Sequence, residues 1–305
     1  PDVYLVLDED FNTLASLGAL KNLDMLVGGD KEFDSNVFYS SVYKAGQYEG
    51  SQYALPMECN PTLMFVNKTL LAKEGIAMPN PDWNWDTMYS ICQKTTKDLD
   101  GDGVLDQFGC YNFGWVGAVY SNGGEIFEAD GKESNFTDEK VVESIQFVRR
   151  LNDLYQGQKV TQEDFNAGNV VFMPLTFAEY RTYKTYPYKI KRYANFQWDC
   201  ITMPAGYQGG NLSQVDSLLI GISAHTKHEQ LAWEFLKLLT YDEKIQTEIF
   251  RSSQGASVLK TVTESKEMES IVQEDMEESD TVISGSLLGT IIEDGKIEPQ
   301  FKRYE

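Results

Sequence analysis

The 305-residue chain has length for about two domains of roughly 150 residues, and its 42% hydrophobic content, with five Trp, 17 Tyr and 16 Phe, excludes global disorder. Its 26 Lys and Arg stand against 47 Asp and Glu, and the resulting net charge of −21 makes nucleic acid and anionic membrane surfaces poor partners. No apolar run nears the roughly 20 residues of a spanning helix, the amino terminus lacks the regions of a signal peptide, and Cys59, Cys92, Cys110 and Cys200 are too few and scattered for a disulfide scaffold or a zinc cluster.

The opening run Val3-Tyr4-Leu5-Val6-Leu7 predicts a buried strand of a parallel sheet, ended by Asp8-Glu9-Asp10. A helix with Phe11, Leu14, Ala15 and Leu17 on one face follows and stops at Gly18. Two strands are expected at 53–57 and 63–66, separated by Glu58-Cys59-Asn60-Pro61, because Pro61 has no N–H for an internal ladder. A helix over 68–74 closes at Gly75, and Asn84 or Asp86 caps the next one, with Trp83 and Trp85 read as a hydrophobic staple. A long helix is predicted over 138–155 with Thr137 as its cap, and a short one over 162–167 behind Thr161. Strands at 170–173, 200–203 and 218–222 and a helix over 228–240 complete an alternation that argues for the α/β class.

The sharpest motif is Asp98-Leu99-Asp100-Gly101-Asp102-Gly103-Val104-Leu105-Asp106. Carboxylates at loop positions 1, 3 and 5, Gly at 6, a carbonyl at 7 and Asp at 9 suit an oxygen-ligated Ca²⁺, so Asp98, Asp100, Asp102, Val104 and Asp106 are the expected ligands of a structural ion. Position 12 is Gly109 rather than a bidentate Glu, and an acidic, glycine-rich surface turn is the alternative reading. His225 and His228 read as exposed residues at a helix start, and no nucleophile elbow, Walker loop or dinucleotide fingerprint is present. A glycosidase pair such as Glu58 with Glu179 is the remaining catalytic alternative. Aromatic residues beside polar ones at Phe113-Gly114-Trp115, Tyr120-Ser121-Asn122 and Phe177-Ala178-Glu179-Tyr180 suit sugars, which present apolar faces and a fringe of hydroxyls.

Pro1-Asp2-Val3, Leu14 to Leu20, Tyr53-Ala54-Leu55-Pro56, Phe65 to Leu71, Trp85-Asp86, the Asp98 to Gly109 loop, Asn122-Gly123-Gly124, Phe165-Asn166-Ala167-Gly168 and Ala232 to Leu236 succeed one another in an order that resembles the family 1 extracellular solute-binding proteins. The resemblance implies a two-lobed, type II periplasmic-binding-protein-like fold with crossing strands and a ligand cleft that closes by hinge bending. It places residues 1–57 and 217–258 in lobe one, and 58–216 and 259–305 in lobe two. It also implies cleft residues Glu9, Asp10, Glu58, Asn60, Trp115, Asn122, Phe177, Tyr180, Asp216 and Ser217. The implied function is non-catalytic capture of a sugar or oligosaccharide for the permease subunits of an ABC importer, with a glycoside hydrolase or a calcium-dependent adhesion module as rivals. Family members carry a strand-helix-strand unit before the match to Pro1 and further helices after the match to Gly295-Lys296-Ile297-Glu298-Pro299. The resemblance therefore implies a piece of a secreted protein, periplasmic or a cell-surface lipoprotein, whose signal and anchor lie upstream. Such a piece is expected to expose a sheet edge, to self-associate through lobe one where the full chain is monomeric, and to bind sugar weakly.

Overall fold

A computed structural model of the chain describes residues 1–128, 133–185, 196–274 and 282–297, without the side chains of 182–185. Glu298 and Pro299 of the carboxyl-terminal match lie outside these residues. The strands are β1 (Val3–Leu7), β2 (Gln47–Tyr48), β3 (Ser51–Gln52), β4 (Ala54–Asn67), β5 (Phe108–Cys110), β6 (Val170–Thr176), β7 (Trp198–Ile201) and β8 (Val215–Ile222). β2 and β3 form a small hairpin, and the other six make one sheet in the order β1-β8-β4-β6-β5, with β7 also on β4.

The two strands expected at 53–57 and 63–66 are one strand of 14 residues. Its first half pairs with β8, from Ala54 opposite Gly221 to Pro61 opposite Val215. Its second half pairs with β6 and β7, so that Phe65 lies opposite both Met173 and Cys200. Pro61 is tolerated inside the ladder because Val215 donates its N–H to the Lys296 carbonyl at 3.0 Å, while Thr62 resumes the ladder by donating to Gln214 at 2.9 Å. A register shift between Pro56 and Glu58 marks a bulge just before the crossing, a place where a strand re-aims its side chains. The boundary expected between 57 and 58 therefore falls inside an unbroken strand. Phe38, Tyr39 and Val42, placed in lobe one by the resemblance, share a hydrophobic cluster with Phe65, Leu259 and Leu288.

β1 departs from its predicted pairing. Among the described strands it lies at the end of the sheet, antiparallel to β8, with Leu5 63% and Leu7 51% exposed, and β5 with β6 is the parallel pair. Such an edge offers unpaired backbone groups to another strand. Its carboxyl end passes without a break into α1 (Asp8–Ser16), whose first turn is made of the three acids, where they favour the positive end of the helix dipole.

Several helices start where a side chain supplies an acceptor for free N–H groups. Asn67 opens the helix Lys68–Lys73 by accepting from Leu70, and Asn84 opens the helix Trp85–Thr95 by accepting from Thr87. The long helix is Glu139–Asp153, and Asp138 is its cap in place of Thr137 because its carboxylate accepts from Lys140. Thr161 and Asp164 form a reciprocal capping box at Gln162–Asn166. Trp83 and Trp85 are 4% and 0% exposed in the core, where Trp85 stacks on Phe147 at 4.3 Å with an interplanar angle of 5°. The Trp85 indole nitrogen is buried there without a partner among the described residues. Trp85→Ala should cost about 3–5 kcal/mol in a urea titration because it opens a cavity, whereas Trp85→Phe, which keeps a ring and removes the buried N–H, should cost less than about 1.5 kcal/mol.

Candidate functional site

The crossing of β4 and β8 gathers several of the expected site residues into one register: Glu58 opposite Leu218, Cys59 opposite Ser217, and Asn60 opposite Asp216. Segment 255–257 passes beside it, with the Cys59 and Ala256 backbones bonded in both directions at 3.1 and 2.7 Å. Glu58 fills the space over Gly255, where an added Cβ would stand 2.3 Å from its carboxylate and would displace that side chain. The Asn60 side chain accepts from the Ala178 N–H at 2.9 Å and thereby caps the helix Phe177–Thr185 from another element. Glu179 receives the Thr176 N–H and hydroxyl within that helix start. The buried Arg181 donates to the Phe250 carbonyl at 2.6 Å and lies over the Phe250 ring.

Sequence reasoning chose Glu9 and Asp10 and passed over Asp8, which the structure joins to the crossing. The Asp8 carboxylate accepts from the Ser217 N–H at 3.1 Å and lines a cavity of about 530 Å³. Asn12, Ser41, Gln47, Glu125 and Lys296 also line it, so that α1 and the helix Ser40–Lys44 face the 293–297 segment across polar groups. The signal for Asp8 was its position as the first residue beyond a strand, the usual place for ligand groups in open α/β sheets. Glu9 and Asp10 are half-buried in the same turn, outside the cavity lining. Burial raises the Asp216 carboxyl above its ordinary value of 3.8; the Gln214 amide opposes the shift and nearby Asp8 adds to it.

The other expected residues lie elsewhere. Phe177 and Tyr180 are 0% exposed, their rings stacked at 5.6 Å inside the core, and the Tyr180 hydroxyl accepts from the Ile283 N–H. Asn122 is likewise fully buried, donating to the Lys140 carbonyl and Glu143 carboxylate and accepting from the Gln208 N–H. These three residues hold elements together and present no surface to a ligand. Trp115 begins the helix Trp115–Ser121 and remains 36% exposed, in a different groove from the crossing.

In the acidic loop, oxygens of Asp98, Asp100 and Asp106 lie within 4.8 Å of one another. The Gly103 and Gly101 N–H groups donate to Asp98 and hold its carboxyl below the usual range. Asp102 instead accepts from the Val104 N–H. Position 12 has a steric reason to lack a ligand: a Cβ on Gly109 would stand 2.3 Å from the Cys92 side chain.

Residues 1–276 match the family model described as bacterial extracellular solute-binding protein. The diacetylchitobiose binding protein DasA of Streptomyces coelicolor is 26% identical over 264 residues, covering 80% of this chain and 57% of DasA. The chain thus spans just over half the length of that curated relative. Among solved structures, the sugar-binding protein MalE of Xanthomonas citri aligns with a TM-score of 0.77 at 14% identity, over 100% of this chain and 74% of that one. The cyclic alpha-maltosyl-1,6-maltose binding protein of Arthrobacter globiformis aligns with a TM-score of 0.75 at 16% identity, over 100% and 75%. These similarities establish the two-lobed type II binding-protein fold.

The raised Asp216 carboxyl sets a pH dependence. The folded chain holds a proton there that the unfolded chain has released above pH 3.8, so this group lowers stability as pH rises through that window. Asp216→Asn should therefore melt higher than the parent chain at about pH 7, with the difference vanishing well below the ordinary aspartate pKa, as differential scanning calorimetry across pH would record.

Proposed function

The chain belongs to the bacterial extracellular solute-binding proteins, and we propose that it captures a neutral sugar or oligosaccharide outside the cell for the permease of an ABC importer, without catalysis. The observation that carries this reading is the polar cavity beside the strand crossing, lined by hydroxyl, amide, carboxylate and ammonium side chains from α1, Ser40–Lys44 and 293–297. Sugar hydroxyls both donate and accept, so a site for them needs such a mixture of partners. A crossing close to the cavity lets a bound ligand bias a hinge, provided it contacts one arrangement of the two sides better than the other. Its relatives support the same ligand class, since DasA and the two aligned proteins are all named for saccharides. Attachment of the whole protein to the cell surface through a lipid is part of the same proposal.

Isothermal titration calorimetry against diacetylchitobiose, maltotriose and mannotriose should give saturable heats for at least one of them. Binding of amino acids or peptides with no response to any carbohydrate, or turnover of chromogenic glycosides, would contradict the reading.

We further propose the Asp98, Asp100 and Asp106 carboxylates, with the Val104 carbonyl, as a structural calcium site, a role that fits the clustering of the three carboxylates. Millimolar calcium should raise the melting temperature of the parent chain and leave that of Asp98→Asn unmoved, because a ligand of the folded state stabilises by mass action. Equal melting temperatures for the parent with calcium and with chelator would leave the loop as a surface turn.

A further inference from the structure

We propose that the groove beside Trp115 is a second subsite for a neutral pyranoside, separate from the cavity at the strand crossing; its ligand class rests on the carbohydrate reading above. The chain has five Trp, and Trp83, Trp85, Trp198 and Trp233 are at most 4% exposed, whereas Trp115 is 36% exposed. Its ring lies 5.8 Å from that of Phe136, tilted by 46°, and Phe136 and Ile145 are 48% and 42% exposed. Together with Val148 they make an apolar surface in a groove of about 790 Å³. That volume falls within the range of small-molecule sites.

The rim gives the groove its chemistry. Arg149, Asn152, Asp153 and Gln156 project from or just beyond the helix Glu139–Asp153, where positions 145, 149, 152 and 156 recur on one face. Their side chains form no hydrogen bond or ion pair with one another or with other described residues. Two amides, one guanidinium and one carboxylate are planar groups suited to paired hydroxyls, and the single positive and negative charges balance. A neutral ligand with an apolar face and an equatorial fringe of hydroxyls matches the rings and rim together. An anionic ligand would meet the net charge of −21, and a purely apolar one would make no use of the rim groups.

The test is a titration of the ¹⁵N-indole spectrum of the 305-residue chain with maltotriose and mannotriose, the Trp115 signal being assigned by Trp115→Phe. The expected result is a saturable shift of that signal, weakened about tenfold in Phe136→Ala through loss of one ring face. The shift should persist in Lys296→Ala, which alters the other cavity, with both variants matching the parent in far-ultraviolet circular dichroism. Carbohydrate heats in calorimetry with an unmoved Trp115 signal would overturn the second subsite and leave the proposed function standing. A shift produced only by an apolar dye, with no response to either sugar, would also overturn it. No carbohydrate response in either measurement across the panel would overturn both readings.

Discussion

The hydrogen-bond demand of β4 governs the molecule. One strand of 14 residues supplies the ladder for β8 in its first half and for β6 and β7 in its second. Buried backbone groups cannot be left unpaired without a cost of about 1–3 kcal/mol each, so the segments that cross with β4 have to meet its register. Ala256 does so at Cys59, and Lys296 takes the N–H of Val215 opposite the proline. The site inherits its geometry from this requirement. Glu58 and Asn60 reach out where the strand changes partners, Gly255 leaves room for the first, and the second caps a helix whose other contacts lie in the core.

Much of the architecture was readable because local signals agreed with the tertiary outcome. Asn84, Thr161 and the apolar runs at 170–173 and 218–222 announce their elements through capping and burial, and the ordered succession of short motifs leads to the family that the whole-chain comparison establishes. The misreadings share one cause, since they concern pairings made at long range. Pro61 looked like a break because nothing local reveals that Lys296, over two hundred residues on, accepts the N–H of its partner Val215. The apolar run of β1 resembled a central parallel strand, yet its partner among the described strands, β8, runs antiparallel to it and two of its leucines are exposed.

The candidate site was legible in part for a related reason. Residue type and position mark a group as able to meet a ligand, whereas burial decides whether it does. Phe177, Tyr180 and Asn122 had suitable chemistry, but the core and the 206–210 loop engage them fully. Asp8 was hidden among three consecutive acids, and only its bond to Ser217 distinguishes it. Burial, with Asp8 nearby, disfavours the charged form of Asp216 at the crossing.

In the proposed function, ligand capture and the strand crossing form one mechanical unit. Hydrogen exchange measured with and without a saturating neutral oligosaccharide tests it most directly, through the amides of Cys59, Ala178 and Ser217, which bond respectively to Ala256, Asn60 and Asp8. The account predicts that these three slow together on binding, while the Phe108 amide, bonded to Asn169 on the parallel pair, keeps its rate. Saturable binding that leaves all three crossing amides unchanged would contradict it.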